Sequence, residues 1–401
     1  MKILQVNKFF YPKGGSERYF FDVSTALEEA GHEVIHFSMH DDKNLESPYS
    51  DYFIRNIDFT KKKSIRKAGH YVFSLEAMDS IKRLVKKTKP DVAHLHNISH
   101  QLTPSIIVAL RNKGVPIVQT LHDYQLMCPN YKMFTQGSPC ERCKSKKYWN
   151  AILYKCIQDS TASSALAAFE MGFHNILLKS YDWGVNRFIA PSKFMHAKML
   201  EWGWQKNQIQ YLPHFVDKKR DTSIKKKNQI AFIGRLTREK GAHLLLEAAE
   251  KVKDIEFVFA GEGEEADELK KQAKEKNLKH CTFIGFQDKK SVGTLMQESK
   301  AVVVPSLWYE NAPMVVYESH ALGTPVIGAR HGGLVELIQE GENGYLFEPA
   351  SADSLANAIE KLRNAEPLTL GESPFTKETH LQQLEELYTK IQNEHRKILP
   401  I

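Results

Sequence analysis

Residues 301–328 read AVVVPSLWYENAPMVVYESHALGTPVIG. The run Val302–Val304 is short, apolar and β-branched, as expected of a strand covered on both faces. Pro313 then stands at a first helical position, where its fixed φ and missing N–H are harmless, and a helix is predicted over 313–322. Pro325–Gly328 is the next strand. A strand joined to another through a helix makes a βαβ unit with parallel strands, and hence a sheet covered by helices.

The same alternation runs in both directions from this stretch. Before it lie strands at Gln229–Ile233, Ile255–Ala260 and Cys281–Ile284, leading into its own strand Ala301–Val304, with helices at about 239–252, 264–276 and 288–299. After it come helices at about 333–340 and 351–363, and an amphipathic helix over Thr376–Ile398. The first half repeats the pattern, with strands at Ile3–Val6, Glu33–Phe37, Asp91–Leu95, Pro116–Gln119 and Arg187–Ala190. Its first helix, Glu17–Ala30, carries apolar residues at helical spacing (Phe20, Phe21, Val23, Leu27). Between the halves, Pro213 is followed by the lysine-rich stretch Lys218–Asn228, which reads as a linker or an exposed loop. The chain is therefore α/β, with two Rossmann-like parallel-sheet domains.

Length and composition agree. The 401 residues are comfortable for two domains, and 42% apolar with 26% charged residues lets each half bury a core. No apolar run approaches the ~20 residues of a membrane-spanning helix. Met1–Val6 runs straight into charged sequence and reads as a strand rather than a signal peptide, so a cytoplasmic chain is expected. The net charge of +7 suits an anionic ligand or an acidic membrane surface. With no zinc-finger spacing, aromatic–basic pattern or long basic arm, nucleic acid is not an expected partner. An odd number of cysteines, five, in a chain of this length argues against a secreted disulfide scaffold.

Open parallel sheets bind ligands beyond the carboxyl ends of their strands, and three stretches bring chemistry there. In Phe232–Gly241 a strand ends at Gly234, Arg235 follows at its tip, and Lys240 stands at the start of the next helix. Two cations beside a helix N-terminus suit a diphosphate; alone, they fit a solvated charged loop equally well. Gly261 and Gly263 lie between a strand and a helix, where glycine allows close backbone approach to a ligand or simply a tight turn. Glu310 precedes the Pro313 helix, and Glu318 lies about two turns further along, on the same face. The N–H groups from Asn311 through Ala312 and Met314 to Val315 can grip an anion or hydroxyls. One carboxylate at each end of a sugar-nucleotide would bind sugar and ribose hydroxyls; the alternative is a capping carboxylate plus an ordinary helix glutamate.

The order G-R-L-x-x-E-K-G, A-G-E-G, F-I-G-F, E-x7-E, A-L-G-T-P-V-I, G-G-L-x-E, N-G-Y-L-F resembles glycosyltransferase family 4 over nearly all of the second half. The resemblance implies the GT-B fold, two Rossmann-like domains facing across a cleft, and a retaining sugar transfer from a nucleotide-diphosphate sugar, UDP- or GDP-linked, to a hydroxyl acceptor. It implies that Arg235 and Lys240 bind the donor diphosphate, that Glu310 contacts the transferred sugar, and that Glu318 binds the ribose. Asn311-Ala312-Pro313 stands where many members have Gly-Phe-Gly. In the first half, Gly14-Gly15 resembles the family's glycine loop near donor phosphate and acceptor. His122 stands where the family has a histidine near the transferred sugar, and His96 is a second candidate on the cleft rim. The final helix resembles the segment that packs back on the first domain, which divides the chain into 1–213 plus 376–401, for the acceptor, and 214–375, for the nucleotide sugar.

The mechanism expected from this resemblance is front-face attack guided by the leaving phosphate. Arg235, Lys240 and helix ends would neutralise the leaving group, so catalysis requires no metal in principle. No carboxylate is clearly positioned to act as the nucleophile that retaining glycosidases use. The expected role is in cell-surface polysaccharide or glycolipid synthesis, with a soluble small-molecule transferase or a non-catalytic nucleotide-sugar-binding subunit as alternatives. Two further features stand apart. Cys128, Cys140, Cys143 and Cys156 include a C-x2-C pair and are a candidate structural zinc set, with reduced unmetallated thiols as the alternative. Lys61–Lys67 followed by Tyr71, Val72 and Phe73 suits an anionic membrane carrying a lipid-linked acceptor, or a solvated basic helix.

Overall fold

The structure, a computed structural model, describes residues 1–57, 65–368, 370–371 and 374–398. They fall into two compact units. Unit 1 comprises Met1–Met133, Glu141–Pro213 and Lys377–Ile401; unit 2 comprises Phe134–Cys140 and His214–Thr376. The second boundary lies one residue beyond the expected 375/376. The hairpin β5 (Phe134–Thr135) and β6 (Ser138–Pro139), expected in the first domain, groups with unit 2, where Phe134 is part of the hydrophobic core.

Unit 1 is built on β1 (Lys2–Val6), β2 (Glu33–Phe37), β3 (Val92–Leu95), β4 (Ile117–Thr120), β7 (Arg187–Ala190) and β8 (Ile209–Tyr211). They form one parallel sheet in the order β2-β1-β3-β4-β7-β8. The central β3 and β4 are buried throughout, and each takes polar side chains into the interior with its apolar ones, His94 in β3, and Gln119 and Thr120 in β4. The short edge strand β8 escapes a pattern reading, because three residues carry no periodicity.

The C-terminal helix Lys377–Ile398 belongs to unit 1 and is tied to it by polar contacts at several points along its length. His32 Nε2 meets Glu385 Oε1 at 2.6 Å, Tyr388 OH meets His94 Nδ1 at 2.7 Å, and Arg187 donates to both oxygens of Glu394.

Unit 2 carries β9 (Gln229–Ile233), β10 (Glu256–Ala260), β11 (Cys281–Gly285), β12 (Ala301–Val304), β13 (Val326–Ala329) and β14 (Gly344–Phe347). Its parallel order β11-β10-β9-β12-β13-β14 is that of a doubly wound dinucleotide-type sheet, with the direction of winding reversing between β9 and β12. Ligands of such sheets bind at that switch point, outside the strands' carboxyl ends.

Most of the basic segment Lys61–Lys67 lies outside the described residues. Val72 is buried, Tyr71 stacks on His100 with centroids 4.2 Å apart, and Phe73 packs against Phe173 and His174. Among the described residues no helix is long and apolar enough to cross a membrane.

Candidate active site

At the switch point of unit 2, the loop after β9 and the loop after β12 meet. Arg235 follows the tip of β9. The chain then makes a single 3-10 turn, Arg238–Lys240, rather than entering directly the helix expected from 239. The helix proper is Ala242–Ala249. Gly241 separates the two at φ +71°, and a Cβ there would lie 1.9 Å from the Pro305 carbonyl oxygen. Only glycine lets the turn sit so close to the β12 loop. Leu307 N donates to Glu239 O at 2.8 Å and fastens the same junction.

This docking aims Lys240 at Glu310. Lys240 Nζ donates to Glu310 Oε1 at 2.7 Å, and so do Ser306 Oγ at 2.5 Å and Trp308 Nε1 at 2.8 Å. Lys240 Nζ also lies 4.9 Å from the centroid of the Trp308 ring, in cation–π range. Burial of Glu310 would raise its carboxyl pKa; the Lys240 charge and the bonds from Lys240, Ser306 and Trp308 outweigh it and hold the group below the ordinary value. Behind Glu310 runs the turn at Gly332-Gly333. Gly333 N donates to Glu310 O at 2.6 Å, and a Cβ on Gly333 would lie 1.8 Å from Asn311 O.

The following helix is Met314–Ala321, with Pro313 as its extended N-cap residue and no side-chain cap. Its first N–H groups, at Met314 and Val315, are therefore not claimed by a capping side chain. Asn311 is buried, while Ala312 and Val315 pack partly buried against the core. Glu318, 3% exposed, pairs with Lys218 Nζ at 3.0 Å. Lys218 was expected in an exposed lysine-rich linker. It stands instead two residues after the apolar Val216, beyond Asp217, and is largely buried (12% exposed). Its place soon after an apolar residue was the only signal of this in the sequence. Arg235 is 58% exposed at the strand tip, 3.5 Å from Glu239.

Gly261 and Gly263 serve packing. A Cβ on Gly261, at φ +147°, would lie 1.8 Å from Gly234 O, and one on Gly263 would lie 2.2 Å from Leu236 O. These glycines let the loop after β10 lie on the loop after β9, so of the two readings open for them the tight-turn one has a direct structural cause.

In unit 1 the strand tips of β3 and β4 bring three histidines together. His96 Nδ1 and His122 Nε2 share a hydrogen bond of 2.9 Å, and His96 Nε2 meets Gln5 Oε1 at 2.8 Å. With the Gln5 carbonyl as acceptor, His96 is protonated on Nε2 and accepts on Nδ1 from His122. His94 stacks on His96 at 4.3 Å and bonds Thr120 Oγ1 and Tyr388 OH, each at 2.7 Å. His96 is 1% exposed, so it is an interior support for His122 rather than a rim residue. Burial pushes the pKa of His94 and of His122 down to about 3, and both imidazoles are neutral at ordinary pH. A cavity beside His122, lined also by Gln119, Asp123 and Tyr181, measures only 20 Å³, room for about one water molecule.

Gly14 N-caps the helix Gly15–Glu29 in extended conformation. A Cβ on Gly14 would touch Glu17 Oε2 at 3.4 Å, and Glu17 is 4% exposed. A buried carboxylate at that helix end suits hydroxyls better than a second anion.

The four cysteines expected as a zinc set do not assemble as one. Among the described residues no three His, Cys, Asp or Glu side chains group as metal ligands. Cys143 packs with Tyr148, Ala151, Ala168 and Met171, and Cys156 and Trp202 lie against that cluster. Cys128 Sγ donates to Asn130 Oδ1 at 3.0 Å. Cys128 and Cys143, both buried, behave as small apolar core residues.

Residues 13–220 match the family Glycosyltransferase Family 4, and residues 215–371 match the family Glycosyl transferases group 1. The chain is similar to an uncharacterized 42.6 kDa protein in the cps region of Klebsiella pneumoniae, 25% identical over 87% of this chain and 90% of that one. It is 26% identical to the amylovoran biosynthesis glycosyltransferase AmsK of Erwinia amylovora, over 41% of this chain and 45% of that one. Among solved structures, Anabaena Alr3699/HepE in complex with UDP and glucose superposes with a TM-score of 0.69 at 19% identity, covering 97% of this chain and 100% of that one. Two six-stranded parallel sheets with covering helices are thus the GT-B architecture of known glycosyltransferases.

Proposed function

The chain belongs to glycosyltransferase family 4, and from that premise we propose that it moves a sugar, with retention, from a UDP- or GDP-sugar to a hydroxyl of a growing cell-surface polysaccharide or glycolipid. The observation that carries this reading is the Lys240–Glu310 pair at the switch point of unit 2, with Arg235 beside it and Glu318 about two turns deeper. A cation and a carboxylate in contact suit the two halves of a sugar diphosphate. Lys240 and Arg235 neutralise the charge that develops on the leaving diphosphate, where fixed cations act most strongly. Glu310, kept ionised, accepts from sugar hydroxyls, and Glu318 accepts from the ribose.

On donor binding, Lys240 turns from Glu310 to phosphate and frees a carboxylate oxygen for the sugar. His122, neutral and with its Nε2 proton given to His96, accepts a hydrogen bond from a sugar hydroxyl without adding charge. Attack follows the front face, guided by the departing phosphate. The donor base is supported by the Anabaena structure of the same fold, which holds UDP, and the polysaccharide setting by the amylovoran enzyme.

The test is thermal unfolding with UDP, GDP, ADP and CMP. A ligand of the native state at about 100 times its Kd adds about 2.7 kcal/mol. One diphosphate should stabilise the native chain and leave Lys240→Ala unmoved. Absence of any shift in the native chain would remove the donor-site assignment.

A further inference from the structure

Unit 1 contains a second and much larger cavity, of 370 Å³, within the roughly 300–1,000 Å³ of small-molecule sites. Its walls are Tyr148 and the half-buried Trp202 and Trp204, with Asn175, Asp182 and Gln205 between them. All belong to unit 1 and none belongs to the histidine cluster.

Two wall residues carry polar atoms with no partner in the protein. Asn175 is 5% exposed; its Nδ2 donates to Leu126 O at 3.4 Å and lies 3.0 Å from Tyr148 OH, while its Oδ1 is buried and unbonded. The Leu126 carbonyl can only accept, so it fixes which way the amide faces. Trp202 Nε1 is a buried donor in the same condition. Folded chains rarely leave such groups unmet, because desolvation is not compensated. One unmet acceptor and one unmet donor thus sit on residues of one wall, and a hydroxyl, which both gives and takes a hydrogen bond, complements them once these side chains turn toward the cavity.

The remaining chemistry narrows the ligand. Flat indole faces cover the C–H side of a saturated ring, and amides and a carboxylate suit its hydroxyls. The carboxylate of Asp182 disfavours an anion, and Lys146 is directed to the Asn175 carbonyl at 2.7 Å. Leu126 also lines the small cavity beside His122, so the two cavities share a wall.

We propose that this cavity is a carbohydrate subsite, taking a neutral pyranose from an inner position of the acceptor chain. The acceptor part of this statement rests on the transferase reading; the binding of a pyranose does not. The test is calorimetric titration of the full chain, with and without UDP. The probes are the methyl glycosides of glucose, galactose, mannose and N-acetylglucosamine, and maltotetraose. At least one should bind the UDP-loaded chain. Trp202→Phe, which keeps the ring and loses the donor, and Gln205→Ala, at an exposed position, should each weaken it about tenfold and leave UDP affinity unchanged. No binding of any probe to a chain that still binds UDP overturns the subsite, as does binding that neither variant weakens. Saccharide binding that responds to the variants in a chain indifferent to nucleotides would uphold the subsite and remove the transferase reading instead.

Discussion

Three different donors, an ammonium, a hydroxyl and an indole N–H, converge on Glu310 Oε1 in a site only 4% exposed. An ionised carboxylate survives there because its partners exceed its desolvation cost, and Lys240 is the largest of them. Lys240→Met should therefore lower stability by about 2–3 kcal/mol, less than the ~3–5 of a fully buried pair because the lysine side chain is partly exposed. The pH dependence fixes the cause. In the native chain Glu310 has a lowered pKa, so its stabilisation is present above the ordinary carboxylate value and is lost as pH falls through the folded value. Without Lys240, burial dominates and the pKa rises; the group then contributes stability at low pH and loses it as pH rises. The gap between variant and native chain should widen between about pH 4 and 7 in urea unfolding. A gap independent of pH would show that Glu310 is not the carboxylate Lys240 serves. Adding Glu310→Gln to the variant should close much of the gap and restore no transfer.

At this scale the sequence was partly legible. Arg235, Lys240, Glu310 and Glu318 stand out because strand tips and a proline-started helix mark them. Lys218, Ser306 and Trp308 do not, since their role is to partner those residues, and partnership across the fold leaves no local pattern. The lysine-rich run from Lys218 reads as solvated by composition, yet Lys218 turns in to Glu318, and Lys226 Nζ donates to Ser299 O at 2.8 Å and to the buried Thr324 Oγ1.

Among elements, the strands of both sheet centres were legible from short, mostly apolar runs alternating with helices, while β8 and β14 were not. Each is a few residues at a sheet edge, too short for periodicity to decide. Glycines were legible as turns but not in their purpose. Gly261 and Gly263 accommodate a neighbouring loop, and Gly333 accommodates the loop that carries Glu310. Gly333 has φ −72°, which any residue adopts, so Gly333→Ala introduces no backbone strain. It introduces a methyl 1.8 Å from Asn311 O, which must push the Glu310 loop away. Since displacements of ~1 Å at a reacting centre can cost on the order of 100-fold in rate, transfer should fall about 10- to 100-fold. Part of the stability should go with it, yet the chain should still fold and bind nucleotide. Unchanged transfer at saturating donor would mean that the position of this loop does not matter to the chemistry.

The whole molecule divides its histidines unevenly. In unit 1 burial lowers His36 and His380 to about 4, and His94, His100 and His122 to about 3; in unit 2 the corresponding groups are His243 and His320, both at about 4. A histidine whose folded pKa is depressed stabilises fully above its unfolded value of ~6.5 and loses that contribution as pH falls through the folded value. Glu170 acts in the opposite sense. Burial raises it to about 8, so acidification from that point favours the fold until the ordinary carboxylate value is reached, after which it gives nothing more. Asp123, also raised by burial, adds to the same opposing side. His70, His174 and His395 are lowered as well and Glu28 is raised, and eight imidazoles against three carboxyls among the described residues leave unit 1 the more acid-sensitive, most clearly between about pH 5 and 4, where the carboxyl gain is nearly exhausted and the histidine loss continues. Hydrogen exchange followed by unit as pH is lowered should show the strands of unit 1, β3 and β4 included, opening before β9 and β12. His94 adds a direct control. Tyr388→Phe removes its partner at Nδ1 and leaves a buried nitrogen unmet, at a cost of about 1–3 kcal/mol. That loss should appear in unit 1 alone and bring its opening to higher pH. Exchange that begins in unit 2, or in both units together, would mean that the buried imidazoles do not govern the acid limit of this fold.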